Sequence, residues 1–369
     1  MRKASILKIG ALAVLVVLGA APIVAAAQKG VRVVPDVAHR RVDITIDGKP
    51  FTSYIWPTTL KKPVLYPIVD TDGITVTRGW PLEPRPGERT DHPHHDGLWF
   101  NYSNVNGFDF WNNSDAIPVA RAPKMGTIVF DKIVSHKNGA TKGELVTDST
   151  WIDGNNHPIL AERTRYGFAD EGSTRSIDVI VTLKALDRVV FHDDKDGLLG
   201  LRVARWLESP EEKGGTFTDS NGVATPVAAA ANVPGVAPPT GEYLTSEGVK
   251  GEAVWSTRAR WCAITGHNGS GHTVTIAIFD HPDNVGYPTY WHARGYGLFA
   301  ANPLGRHMFD PKQPPLDFTL ERGQSVTFRY RVAIYTDTPS TKVLNQQAEN
   351  FAASYGKPVH ALGTGNAGR

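Results

Sequence analysis

Arg41 to Trp56 reads RVDITIDGKPFTSYIW, and this stretch decides the fold. Val42, Ile44 and Ile46 alternate with Asp43 and Thr45, the period-two pattern of a half-buried strand. Asp47-Gly48 then supplies the two residues of a tight hairpin turn, and Phe51 to Trp56 runs back. The same period recurs at Ile177–Leu183, Thr273–Phe279 and Ser325–Tyr335. From Arg32 to Tyr335 about a dozen such runs follow one another with no convincing amphipathic helix between them. Strands without alternating helices pair antiparallel, so the expected fold is all-β: a large antiparallel β-sandwich, of which a galactose-mutarotase-like supersandwich is one form.

Two segments depart from this pattern. Asp219–Thr240 (DSNGVATPVAAAANVPGVAPPT) is rich in Ala, Pro and Gly and reads as an exposed insertion or lid over 219–240. Near the end, Val343, Leu344, Ala348 and Phe351 fall at helical spacing, with Thr338 or Ser340 as cap and Gly356 as stop. That predicts one helix over Ser340–Ser354, with residues 357–369 as a loose tail. At the other end, Arg2, Lys3 and Lys8 precede an apolar stretch from Ile9 to Ala26, and Ala25 and Ala27 occupy the small positions of a cleavage site. Residues 1–27 therefore read as a signal peptide and 28–356 as a single domain, exported to the periplasm or beyond. Nothing downstream is apolar enough to span a bilayer.

Composition narrows the function. Cys262 is the only cysteine, so no intrachain disulfide forms, and a chain of 369 residues buries enough apolar surface to stand without one. The formal charge of +2 is almost balanced and no basic tract is present, which argues against nucleic acid as a partner. No G-x-S-x-G elbow, P-loop or H-E-x-x-H occurs, which removes the commonest hydrolase, nucleotide-cofactor and zinc-protease readings.

Chemistry concentrates in two runs. DHPHHDGLWFNYSNVNGFDFW (Asp91–Trp111) crowds His92, His94 and His95 together, with Trp99 and Trp111 behind. His92 and His94 are two apart and share a side if the backbone is extended, while Pro93 favours an edge strand or a loop. Asp91 and Asp96 stand ready to orient the imidazoles. IAIFDHPDNVGYPTYWHARGYGLFAANPLG (Ile276–Gly305) repeats Asp-His-Pro at Asp280 and continues through Tyr290, Trp291, His292, Arg294 and Asn302. If the two runs converge, His92, His94, His95, Asp280, His281 and His292 are the candidate catalytic set. Arg78, Trp99, Trp111, Trp291, Arg294 and Asn302 are then the candidate substrate-binding set. Aromatic walls separated by polar groups suit a sugar, whose apolar face stacks on an indole while its hydroxyls find hydrogen bonds. Trp56, Trp206, Trp255 and Trp261 are assigned to the core. Glu162 is read as a member of a cross-strand ion pair, or else a general base, and Asp193–Gly197 as a turn.

HPHHDGLWFNYSNVNGFDFW, KDGLLGLRVARWLE (Lys195–Glu208) and the Ile276–Gly305 run together resemble a family of exported bacterial proteins labelled methane oxygenase PmoA. The resemblance covers most of the chain after Gln28. It implies an all-β protein of polysaccharide-degrading bacteria and, by that association, a carbohydrate role.

Three functions are therefore expected to compete. The first is a carbohydrate-active hydrolase, lyase or isomerase using His/carboxylate acid–base chemistry, with His94 or His281 as proton donor and Asp280 as base. The second is a metal enzyme, hydrolase or oxygenase, in which His92, His94, His281 or His292 ligates a transition metal such as Zn, Cu or Fe. The third is a noncatalytic carbohydrate-binding protein.

Overall fold

The computed structural model describes residues 29–355 except 211–213, 219–222, 228–232 and 234–235. It is an antiparallel β-sandwich of two eight-stranded sheets. The front sheet runs, edge to edge, Val31–Asp36, Arg41–Ile46, Lys49–Ile55, Val64–Ile68, Leu98–Tyr102, Gly197–Arg202, Leu298–Asn302 and Tyr290–Ala293. The back sheet runs Glu242–Thr245, Trp261–His267, Thr273–Asp280, Ser325–Tyr335, Thr174–Ala185, Pro158–Asp170, Lys142–Ile152 and Thr127–Lys137.

The hairpin that opened the reading is there: Arg41–Ile46 pairs with Lys49–Ile55 across Asp47-Gly48, both at positive φ (49° and 75°) as a two-residue turn requires. Ser325–Tyr335 has the expected bounds and pairs along its whole length with Thr174–Ala185. Between the sheets lies one apolar core. Phe100 of the front sheet meets Phe328 and Trp151 of the back sheet at ring-centroid distances of 5.8 and 6.4 Å, and Phe51 meets Phe168 edge-on at 6.3 Å.

The helix forms over Thr341–Ser354 with Ser340 as its cap. Leu344, Ala348 and Phe351 seat it on Trp261, Ala263, Ala277 and Phe279, on the outer face of the back sheet. Val343 does not join them; it lies 44% exposed, one position off the buried stripe. A four-residue helical turn, Arg306–Phe309, lacks a periodic signal, because its start is capped from elsewhere: Asp193 accepts from the backbone N–H groups of His307 and Met308.

Within the expected insertion, Ala224–Val227 pairs with Gly215–Thr218, which precedes it, as a two-stranded ribbon. The rest of the lid reading falls partly outside the described residues, and the signal peptide and tail readings fall wholly outside them. Among the described residues no helix is long and apolar enough to cross a membrane.

Candidate functional site

Most of the candidate chemistry lies on the outer face of the front sheet, where loops from four strands meet. The segment Arg89–Gly97 leads into the strand Leu98–Tyr102 and is shaped by one side chain. Arg78 is fully buried, and its guanidinium donates to the carbonyls of Arg89, Asp91, His92 and His95 and to Asp91 Oδ1 at 2.8–3.3 Å. Five donors in a rigid fork can hold several carbonyls at once. They fix the turn in which His92 takes a left-handed φ of 45°. Arg78 is therefore a clamp beneath the loop and not the substrate-binding group expected from sequence.

Arg202, equally buried, donates to Asp91 Oδ1 at 2.7 Å and to His95 Nδ1 at 3.2 Å. A guanidinium only donates, so His95 Nδ1 is the acceptor and its proton sits on Nε2. That Nε2–H, His94 Nε2 and Trp99 Nε1 are all buried without a hydrogen-bond partner. Burial pushes His95 well below the usual imidazole range, and neighbouring His94, Arg202, His92 and Arg78 push the same way. His94 goes down to about 2, through burial first and then Lys62, His92, Arg78 and Arg202. Burial works against the charge of Asp91, but Arg202, His92 and Arg78 outweigh it and hold that carboxyl well below the ordinary range. Two neutral imidazoles thus sit beside a firmly ionised carboxylate. His92, half-exposed, stands 3.3 Å from Asp91 Oδ2 and stacks on His95 at 4.8 Å.

Strand register then brings distant residues into line. Trp99 is paired with Gly200, Gly200 with Ala300, and Ala300 with His292, so the four occupy one row on the outer face. Three strand spacings, about 14 Å, separate the ends of that row. Gly200 has to be small, since a Cβ there would collide with the Trp99 indole and crowd Trp111. Above the row an arc of side chains links the two histidine regions. Tyr296 stacks on His92 (4.8 Å, 7°) and lies against Arg202 (4.9 Å); Arg294 bridges Tyr296 and Trp255; Trp255 meets His292 at 4.7 Å.

His292 Nδ1 donates to the Lys195 carbonyl at 3.0 Å and lies 3.6 Å from Asp196 Oδ1. Its Nε2 bonds no group among the described residues, so the free lone pair is there. Burial lowers its pKa to about 4 against the opposing pull of Asp196. Lys195 and Asp196 line a recess of about 430 Å³ that also holds Ser103, Asn104, Asp109 and Asp194. The carboxyls of Asp109 and Asp194 are both raised, by burial first and by neighbouring aspartates as well. A neutral imidazole acceptor and carboxyls biased toward their protonated form are the two halves of acid–base chemistry.

Several expectations need correction. Asp280 and His281 do not join the triple histidine. Asp280 ends a back-sheet strand, where its two oxygens accept from Asn284 Nδ2 (2.7 Å) and the Thr289 N–H (2.8 Å). Burial raises it to about 7. His281 accepts from the Asp283 N–H and donates to the Ala352 carbonyl of the helix, so neither nitrogen is free. Trp291 points into the inter-sheet core and donates to the Ala259 carbonyl. Trp99 and Trp111 are buried beneath the histidines and form no open wall. Asn302 is buried between Asp194 and Leu304 backbone groups. Of the expected substrate-binding residues only Arg294 reaches the arc.

Among the described residues no group of three or more His, Cys, Asp or Glu side chains is arranged to hold a metal ion. The metal set named from sequence is not assembled: His92 and His94 lie apart from His292, and His281 is on the other sheet. Glu162 is no ion-pair member; it accepts from Trp151 Nε1 and Thr164 Oγ1.

Sequence reasoning passed over Tyr296, Arg202, Lys62 and the aspartates 109, 194 and 196, and it assigned Trp255 to the core, whereas Trp255 is only partly buried and lies against His292. Only Tyr296, two residues from Arg294, carried a usable signal. Asp194 and Asp196 were hidden in what reads as an ordinary turn.

The family model described as "Family of unknown function (DUF6807)" matches residues 41–349, and the chain belongs to that family. This overturns the resemblance to the methane oxygenase PmoA label, to which nothing in the match points. No curated protein matches. Among solved structures the chain is similar to galactose 1-epimerase from Lactobacillus acidophilus NCFM, at 11% identity and a TM-score of 0.40, covering 84% of this chain and 100% of that one. It is also similar to a putative aldose 1-epimerase from Escherichia coli K12, at 11% identity and a TM-score of 0.35, covering 83% and 99%. A third is a GH36 alpha-galactosidase from Geobacillus stearothermophilus, at 12% identity and a TM-score of 0.38; 83% of this chain aligns to 41% of it, so the chain spans about two fifths of that enzyme.

Proposed function

We propose, for this member of a family without an assigned activity, a carbohydrate-active protein that uses His/carboxylate acid–base chemistry on the outer face of the front sheet. One observation carries the reading: His292 is buried and neutral, its Nδ1–H is tied to the carbonyl of Lys195, which lines an aspartate-rich recess, and its Nε2 bonds no group among the described residues. A histidine so held is a fixed proton acceptor, since its tautomer and ring orientation are set before substrate arrives. Asp194, with raised pKa, is the matching donor; both oxygens of Asp109 are held by the N–H and side-chain amide of Asn112. The pair suits proton transfer at a hemiacetal or glycosidic oxygen, which needs one group to take a hydroxyl proton and another to protonate the ring or leaving oxygen. Half-exposed Trp255, Tyr296 and Arg294 would meet the sugar, by apolar contact and by hydrogen bonds to its hydroxyls. Asp91, Arg202 and Arg78 would hold His92 and Tyr296 in place.

The test is proton NMR on a panel of free sugars and glycosides, following anomeric exchange and the release of new reducing ends. Turnover that His292→Ala removes supports the proposal. Saccharide binding without either reaction would reduce the protein to a carbohydrate-binding module, and no binding at all would remove the carbohydrate reading.

A further inference from the structure

Beyond the arc, on the far side of the His92–His95 turn, lies a second recess of about 400 Å³. Its walls are Trp80, Pro81, Leu82 and Leu60, and Pro93 and Asp96 form the side shared with the triple histidine. Three features mark it as built for a ligand.

Trp80 is pre-positioned. Glu88, buried, accepts from the backbone N–H groups of Gly79 and Trp80 at 2.9 and 3.0 Å, and the Arg78 guanidinium supports the indole at 5.2 Å. The indole is nonetheless only partly buried, unlike Trp99 and Trp111. An ordered, partly open indole costs little entropy to stack against.

Asp96 is 3% exposed and lines the recess, and its Oδ1 has no hydrogen-bond partner. Its other oxygen is 3.4 Å from Lys62 Nζ, which is itself buried and donates to the His94 carbonyl. Lys62 balances the carboxylate, so the free oxygen calls for a neutral donor such as a hydroxyl and not for a cation. Ser114 Oγ, also buried without a partner, lines the same recess, and the Lys61–Asp115 pair stands at its rim. Apolar and aromatic walls around a few unmet hydrogen-bonding groups describe a hydroxylated ring well.

We propose that this recess is a second sugar subsite, with a pyranose ring stacked on Trp80 and one of its hydroxyls donating to Asp96 Oδ1. The substrate of the neighbouring acid–base face is then an oligosaccharide of two or more rings. This rests on the carbohydrate reading above and specifies its substrate class.

The experiment is calorimetric titration of the full chain with gluco-, galacto-, manno- and xylo-configured monosaccharides and their oligomers of two to four rings. In the preferred series, affinity should rise about tenfold from one ring to two or three, the scale of one added aromatic contact and hydrogen bond. Trp80→Ala should abolish that increment while leaving monosaccharide affinity within about twofold, and Trp80→Phe should restore most of it. Because Trp80→Ala removes a partly buried ring, its melting temperature is checked alongside, and Ser114→Ala gives an independent, milder loss of the increment. A length dependence that survives Trp80→Ala, or no length dependence at all, overturns the subsite. Turnover without the length effect would sink the subsite and leave the acid–base reading standing. The length effect without turnover would do the reverse.

Discussion

The tripeptide Asp-His-Pro occurs twice, and the two copies have opposite fates. At Asp91-His92-Pro93 the carboxylate is shared by two buried guanidiniums, the histidine is half-exposed at positive φ, and a stacked tyrosine lies over it. At Asp280-His281-Pro282 both carboxylate oxygens and both ring nitrogens are used up by backbone and amide groups of the following loop and the C-terminal helix. The first copy sits where charged groups are held near solvent. The second staples a loop and a helix to the back sheet. A motif of three residues specifies neither outcome; the number of hydrogen-bond partners the fold supplies decides whether a polar group is spent on structure or remains available.

That contrast can be broken most directly by exchanging the histidines' roles. His292→Ala should lower turnover by a factor of about 10² to 10⁴, equivalent to about 3–5 kcal/mol of barrier. His281→Ala should leave turnover per folded molecule within about twofold. Initial-rate measurements on both variants decide it, and equal losses would erase the distinction between the two regions.

Stability should show the reverse asymmetry. Asp280→Ala strands the Asn284 amide and the Thr289 N–H in the interior, and should cost about 2–4 kcal/mol in urea unfolding. Asp91→Asn should cost less, about 1–2 kcal/mol, because Asp91 is about a third open to water and screening discounts its ion pairs. Its more specific effect should be faster amide exchange confined to residues 91–97. A global loss as large as that of Asp280→Ala would mean that the histidine turn, too, is mainly structural.

The smallest effect is a pH dependence of opposite sign in the two regions. His94, His95 and His292 have pKa values pushed down by burial. They favour folding above their unfolded value of about 6.5, and that contribution is lost as pH falls, through about 4 for His292. Asp280 is pushed up to about 7 by burial, so its contribution is present below the unfolded value and is lost as pH rises through about 7. Melting curves from pH 4 to 8 should therefore pass through a maximum between these limits. Asp280→Asn should flatten the high-pH limb and His292→Ala part of the low-pH limb.

Much of the fold was legible because period-two alternation is a local property. Arg41–Ile55, Ser325–Tyr335 and the helix capped by Ser340 could all be found without knowing any neighbour. The crowding of His92, His94 and His95 was equally visible, and they do form one cluster with Asp91. Alternation also tells that Trp99 and Asn101 share a face. It does not tell which face, nor what lies across from it.

Those questions belong to tertiary structure. The row Trp99, Gly200, Ala300, His292 exists only because strands far apart in the chain pair in one register, and a slip of one residue would turn His292 inward. The same pairing buries Arg78 and Arg202 under a loop they then shape, turns Trp291 into the core, and leaves Asp196 and Trp255 beside His292. The sequence by itself determined the strands, their turns and the supply of polar groups. Long-range strand pairing decided which of those groups were satisfied and which remain free to meet a ligand, because a hydrogen-bond partner is fixed by position in space and not by distance along the chain.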